Sequence, residues 1–360
     1  MKYDEVYEKW KNEGEKLEEL RIMVAGKSGA GKTTLIKEVF GDLEADEAPE
    51  GIGLPVTDTI RDYRSKNSPL ILTDTVGFTT LEDNKESVKA LRTRFQSKTK
   101  RPHLLWYVVN SGTNRLEERE VAFIEMAVKY APVLLVISQS IGINAEILEQ
   151  KIREMNLPIE GIHPLLARKY YLRGGGEVEA FGVKELIHKS YDILDTKVQE
   201  SFAAAQVHDV DLKVKAARAW AKGYIAATFG VGFIPIPFSD AGILVPLQAT
   251  MILHIAHIFG MKAEKAKIGT FLSAGLLPEG AKMAGRALTG NLLKWIPGIG
   301  SLTGGLIQGS TAAAITWTMV ESYIQVLKRT YLRGGREMNE EIWKETLEQM
   351  KKQKEIGEEK

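Results

Sequence analysis

The 360-residue chain contains no cysteine, which removes disulfide staples, thiolate metal sites and cysteine nucleophiles and fits a reducing compartment. Excess charge is missing too: 48 Lys and Arg stand against 47 Asp and Glu, so no overall field draws in nucleic acid or anionic lipid. Such a partner has to be met by a local patch. The basic residues 98–101 have no interleaved aromatics, and no nucleic-acid partner is expected. The opening MKYDEVYEKWKNEGEKLEEL holds no apolar run of the kind a secretory leader has. The expected place is the cytoplasm, with the protein peripheral or integral at the inner face of the membrane as the further option. Six histidines build no evident metal site: His254 and His257 lie three apart with no third ligand nearby, and a packing or interfacial role is expected.

What is present is a globular composition, 44% hydrophobic and 26% charged, in a chain long enough for two or three domains. Residues 1–20 place Tyr3, Val6, Trp10, Leu17 and Leu20 at helical spacing, predicting a short amphipathic helix. From 21 to 195, short apolar runs alternate with helical patterns. That pattern predicts an α/β domain with a mostly parallel sheet and helices on both faces. Strands are expected at 21–25, 59–64, 70–73, 103–110, 133–137 and 162–166, with helices near 32–40, 84–95, 115–129, 144–155 and 183–194. Residues 196–335 read as all-α, with Val207, Val210, Val214 and Ala217 at helical spacing. Here 241–261 and 295–320 carry no Asp, Glu, Lys or Arg and are long enough to span a bilayer, although Gln248, His254 and His257 interrupt the first. Residues 336–360 read as a charged helix or tail.

The most informative run is Gly26-Lys27-Ser28-Gly29-Ala30-Gly31-Lys32-Thr33, which follows an apolar strand and opens a helical pattern. Glycines let the backbone wrap closely around phosphate, and N–H groups at a helix N-terminus face its negative charge. Lys32 is placed to reach the β and γ oxygens and Thr33 to ligate Mg²⁺, with Thr34 completing the phosphate-binding set. Downstream, Leu70-Ile71-Leu72-Thr73 runs into Asp74-Thr75-Val76-Gly77. There Asp74 is expected to hold Mg²⁺ and the Gly77 amide to sense the γ-phosphate. Residues 42–56 are loop-like, broken by Pro49, Gly51, Gly53 and Pro55, and Thr57 just beyond is preferred to Thr59 as the threonine that closes on phosphate and metal. The expected catalytic set is Lys32, Thr57 and Gly77, and the expected metal set is Thr33, Thr57 and Asp74. The pair Glu117-Glu118 falls in a charged helical pattern and is expected on a solvated face.

The order of these motifs resembles the translation-factor class of P-loop GTPases, most closely the Era-like group, over residues 21–195. GKSGAGKT matches the family's phosphate loop, PVTDTI its switch threonine segment and DTVG its metal and γ-phosphate motif. The resemblance implies GTP and GDP as ligands. In the helical region, GFIPIPFSDAGILVPLQATMILHIAHIFG and LLKWIPGIGSLTGG resemble the domain of unknown function 697, which implies contact with membrane lipid. Two departures stand out. Where the family reads guanine with N-K-x-D, this chain has Ser138-Gln139-Ser140-Ile141, which leaves Gln139 to pack over the base. The loosely similar Leu166-Ala167-Arg168 offers the Ala167 amide to the base oxygen. Phe78 follows Gly77 where relatives place a water-orienting Gln, and Gly29 stands where some relatives recruit potassium with Asn. The implied protein is a slow GTPase and nucleotide switch, aided by homodimerisation or by a partner supplying an arginine. The alternatives are a membrane scaffold with little turnover and an ATPase with a degenerate base pocket.

Overall fold

The computed structural model describes residues 17–41, 43, 45–47, 60–65, 68–75, 85–113, 115–229, 241–261, 310–334 and 345. Residues 1–16, 42, 44, 48–59, 66–67, 76–84, 114 and 230–240 lie outside them, and so do 262–309 and, apart from Glu345, 335–360. The chain divides into two compact units, one of them residues 17–209 and the other containing the helices from Val210 onward.

In the first unit a seven-stranded sheet has the order β2-β3-β4-β1-β5-β6-β7. Its strands are β1 (Leu20–Ala25), β2 (Ala45–Glu47), β3 (Ile60–Ser65), β4 (Leu70–Thr75), β5 (Leu104–Asn110), β6 (Val133–Ser138) and β7 (Gly161–Pro164). The five from β4 to β7 run parallel, while β2 and β3 form an antiparallel edge. The centre is parallel because its sequences are apolar without a break: residues 104–109 and 133–138 are all buried, as strands covered on both faces must be.

Alternation sorts these side chains to two cores. Met23, Leu105, Tyr107, Val133 and Leu135 face α2 (Lys85–Gln96), α3 (Glu118–Ala127) and α4 (Ile143–Glu154), meeting Phe95, Phe123, Ile124 and Leu148. On the other face lie α1 (Lys32–Phe40), α5 (Val183–Ile193) and α6 (Thr196–Ala205). Trp106 anchors this second core. Its ring stacks on Phe40 at 5.6 Å, and its Nε1–H donates to Ser190 Oγ at 3.0 Å, so a large apolar surface is buried without orphaning its polar atom.

Leu20, expected to close an N-terminal helix, opens β1 instead. It is fully buried, pairs with Leu70 and donates its N–H to the Pro69 carbonyl, so sheet pairing overrides the helical spacing. Helix α6, on the far side of the compositional change at 195, packs on β1 and β4. Two small elements carry no sequence signal: the three-residue β2, and a hairpin of β8 (Tyr170–Tyr171) and β9 (Glu177–Val178) turning through three glycines. Strands this short give too few residues for a period of two to register.

The second unit contains α7 (Val210–Phe229), α8 (Ala241–Ile258) and α9 (Ser310–Leu332). Helices α7 and α9 run antiparallel and are laced by polar pairs: Lys328 Nζ to Asp211 at 2.7 Å, Arg218 bidentate to Glu321, and Lys222 over the Trp317 ring at 5.8 Å. His254 of α8 stacks on Trp220 of α7 at 3.9 Å, a packing role. Among the described residues no helix is long and apolar enough to cross a membrane. In α8, the uncharged stretch from 241, buried Gln248 and His254 break the apolar run.

Candidate phosphate-binding site

Residues 26–31 join the carboxyl end of β1 to α1, so the loop lies where parallel strands open a crevice. Gly26 has φ +141°, and a Cβ there would meet the Val108 carbonyl oxygen at 2.1 Å. Only glycine fits. Gly31 is in the left-handed region at φ +90° and forms the N-cap of α1, with Ser138 Oγ 3.3 Å from where a Cβ would sit. The first turn of α1 has neither a side-chain cap nor an acidic residue. Its N–H groups and positive dipole end are therefore oriented for an anion.

Lys32 is buried, and its Nζ donates to the carbonyls of Gly26 at 2.8 Å and Lys27 at 3.0 Å. Burial pulls its pKa below the usual lysine value, and the nearby charge of Asp74 opposes that shift. Asp74 reaches the same place from the end of β4. Together Ser28, Gly29, Gly31, Lys32, Thr33, Thr34, Asp74 and Gln139 line a cavity of about 390 Å³. A hydroxyl and a carboxylate in that lining are hard oxygen donors, and few of them are needed, because Mg²⁺ keeps several waters and takes phosphate oxygens. Thr33 and Asp74 therefore fit Mg²⁺, which when bound would neutralise charge building between the β and γ phosphates.

The remaining expected residues divide. Gly26, Lys27 and Ala30 shape the loop without lining the cavity, and Ala167 lies outside the lining. Thr57 and Gly77 fall outside the described residues. Gln139 lines the cavity with φ +50°, a conformation non-glycine residues adopt only when their surroundings impose it. Three serines tie down the backbone around it. Ser111 Oγ donates to the Gln139 carbonyl, Ser140 Oγ to that of Ile137 at 2.7 Å, and Ser138 Oγ to that of Ala30 at 2.6 Å. Ser138 thus ties the end of β6 to the phosphate loop, a role that its replacement of a larger polar residue concealed at sequence level.

Lys27 is expected among the nucleotide-binding loop residues, and its side chain pairs with Glu117 and, at 3.3 Å, with Glu120, at the start of α3. Glu117, half exposed as the charge pattern suggested, is therefore bound and not merely solvated. Glu117 and Glu120 form a capping box, and their i, i+3 spacing was the sequence signal that could have found it.

Residues 21–139, about a third of the chain, match the family model described as 50S ribosome-binding GTPase. The segment has the fold of a P-loop G domain. Similar solved structures include a probable GTP-binding protein EngB, at 18% identity over 48% of this chain and 97% of that one, with a TM-score of 0.34. The G domain of the T. maritima FeoB iron transporter aligns at 17% identity over 48% and 98%, TM-score 0.33. Elongation factor SelB from Methanococcus maripaludis, solved with the GTP analogue GppNHp, aligns at 18% over 52% and 35%, TM-score 0.33. No curated protein matches the chain.

Proposed function

We propose that the protein is an Era-like GTP-binding protein with slow hydrolysis, acting as a nucleotide-dependent switch. The observation that carries this reading is the single cavity shared by the phosphate loop, Lys32, Thr33 and Asp74. Lys32 and the α1 N-terminus bind the phosphate tail, while Thr33 and Asp74 supply Mg²⁺ ligands. Thr57 and Gly77 answer to the γ-phosphate. Hydrolysis is slow because Phe78 offers no hydrogen bond to a water and Gly29 offers no side chain to the transition state. A homodimer or an activating partner supplies the missing charge.

The helical region, similar in sequence to the domain of unknown function 697, meets a cytoplasmic membrane face peripherally or binds a partner. Its small-residue spacing at Gly300, Gly304, Gly305 and Gly309 suits close helix packing. A second reading, a triphosphatase indifferent to the base, is favoured by the cavity's composition: among its described lining residues Asp74 is the only carboxylate.

Competition of GTP, GDP and ATP for one labelled site in Mg²⁺, joined to single-turnover phosphate release, tests both. The first reading expects ATP to compete about tenfold or more weakly, a gap of roughly 1.4 kcal/mol. It also expects release below about 10⁻² per second without a partner. Equal competition favours the second reading, and no competition by any nucleotide overturns both.

A further inference from the structure

Glu120 is a carboxylate with 4% side-chain exposure, and such groups need their oxygens satisfied. Its Oε1 accepts from Tyr107 Oη–H at 2.9 Å, and its Oε2 accepts from the Glu117 backbone N–H at 2.9 Å. Oε2 also lies 3.3 Å from Lys27 Nζ. Strand β5, the first turn of α3 and the phosphate loop therefore meet on one carboxylate. Partial burial pulls the Lys27 pKa down, but its hydrogen bond to Glu117 and the Glu120 charge outweigh it and hold the ammonium above the usual lysine range.

The other end of Lys27 explains why this matters. Its carbonyl accepts both Lys32 Nζ at 3.0 Å and the Ala30 N–H at 3.2 Å. The residue gripped by α3 is thus the one whose carbonyl anchors the phosphate-binding ammonium and closes the loop's turn. Because a small misplacement of a binding group costs much of its interaction, fixing this residue sets the loop's geometry.

We infer that Glu117 and Glu120 are positioning residues for nucleotide, acting through Lys27 to hold the phosphate loop in its binding shape. The inference rests on the nucleotide-binding reading above and adds to it two residues at the start of α3 that do not line the cavity.

Electrostatics and positioning predict opposite signs, which makes the test decisive. Replacing Glu120 or Glu117 with Gln removes negative charge near an anionic ligand, so a purely electrostatic role tightens nucleotide binding. A positioning role loosens it. The measurement is the dissociation rate of a fluorescent guanosine diphosphate from the full chain, for wild type, Glu117→Gln and Glu120→Gln, alongside the thermal midpoint of each nucleotide-free protein. Glu117→Gln is on the surface and keeps an oxygen that can accept at the α3 N-cap, so the test does not depend on the buried variant. Expected is release roughly three- to tenfold faster in both, from loss of one charge-assisted contact, with the Glu117→Gln midpoint lowered only by the small amount an exposed ion pair contributes. In Lys27→Met, adding Glu120→Gln should then change release little, because the contact is already gone. Unchanged or slower release in both Glu variants overturns the inference while leaving nucleotide binding intact; no binding by wild type overturns both readings.

Discussion

Replacing Arg94 with Met probes a buried ion pair beside Asp74. Arg94 Nη2 lies 2.5 Å from Asp62 Oδ2 and Nη1 lies 2.6 Å from Oδ1, while Thr73 Oγ1 donates to Asp62 at 2.6 Å and accepts from Arg94 at 2.7 Å. The pair's side chains are only 13% and 12% exposed. Asp62 on β3 sits opposite Thr73 on β4, one residue before Asp74, so α2 is bolted to the strand that delivers that carboxylate. At about 3 Å and an effective dielectric of about 20 the attraction is roughly 5 kcal/mol before desolvation. Removing one partner of such a pair leaves the other charge buried, at a cost of about 3–5 kcal/mol, and the residual exposure points to the lower end. Urea unfolding of the first unit should show that loss. The double variant with Asp62→Leu should recover most of it, because no charge is then left buried. Burial pushes the Asp62 carboxyl up, but the Arg94 and Thr73 hydrogen bonds and the Arg94 charge bring it below the usual 3.8. The wild-type pair therefore contributes stability above that pH and loses it as pH falls through the folded-state value, whereas Arg94→Met should lose that acid dependence. A loss below about 1 kcal/mol, the level of an exposed pair, would refute the reasoning.

Gly26→Ala forces a Cβ into the Val108 carbonyl at 2.1 Å, and relief requires the loop or β5 to move. A destabilisation of about 2 kcal/mol or more is expected by thermal unfolding, together with loss of nucleotide binding; a variant that binds normally contradicts the assigned geometry. His103 Nδ1 accepts the Arg21 N–H at 3.0 Å and so must be neutral there. Burial, joined by the Arg21 charge, holds its pKa below the usual 6.5. Below pH 6.5 the unfolded chain takes up a proton that the folded chain refuses, so stability should fall as pH drops and be flat in this respect above it. His103→Asn, which keeps an acceptor, should shallow that slope in pH-dependent unfolding, and an identical slope would count against it. His163 shares the direction of shift, so part of the slope should remain.

The large elements were readable because their signals are redundant. β5 and β6 are unbroken apolar runs, and the phosphate loop combines a strand, two required glycines and a helix start within about a dozen residues. What escaped depends on contacts between distant segments. Leu20 has helical spacing but is claimed by Leu70, fifty residues away in the chain. Ser138 reads as a lost base-recognition residue, yet its hydroxyl ties to Ala30, a contact spanning 108 positions. Lys27 reads as one more loop residue, and its partnership with Glu117 and Glu120 depends on α3 packing beside β5.

Calorimetric titration of GTP with Mg²⁺ into wild-type protein and into Lys32→Ala addresses the claim on which the account stands. Wild type should bind, and the variant should bind at least about tenfold more weakly, since one charge-assisted hydrogen bond is worth roughly 1.5–3 kcal/mol. Equal affinity in the two proteins would contradict the assignment of the loop and of its lysine to the phosphate tail.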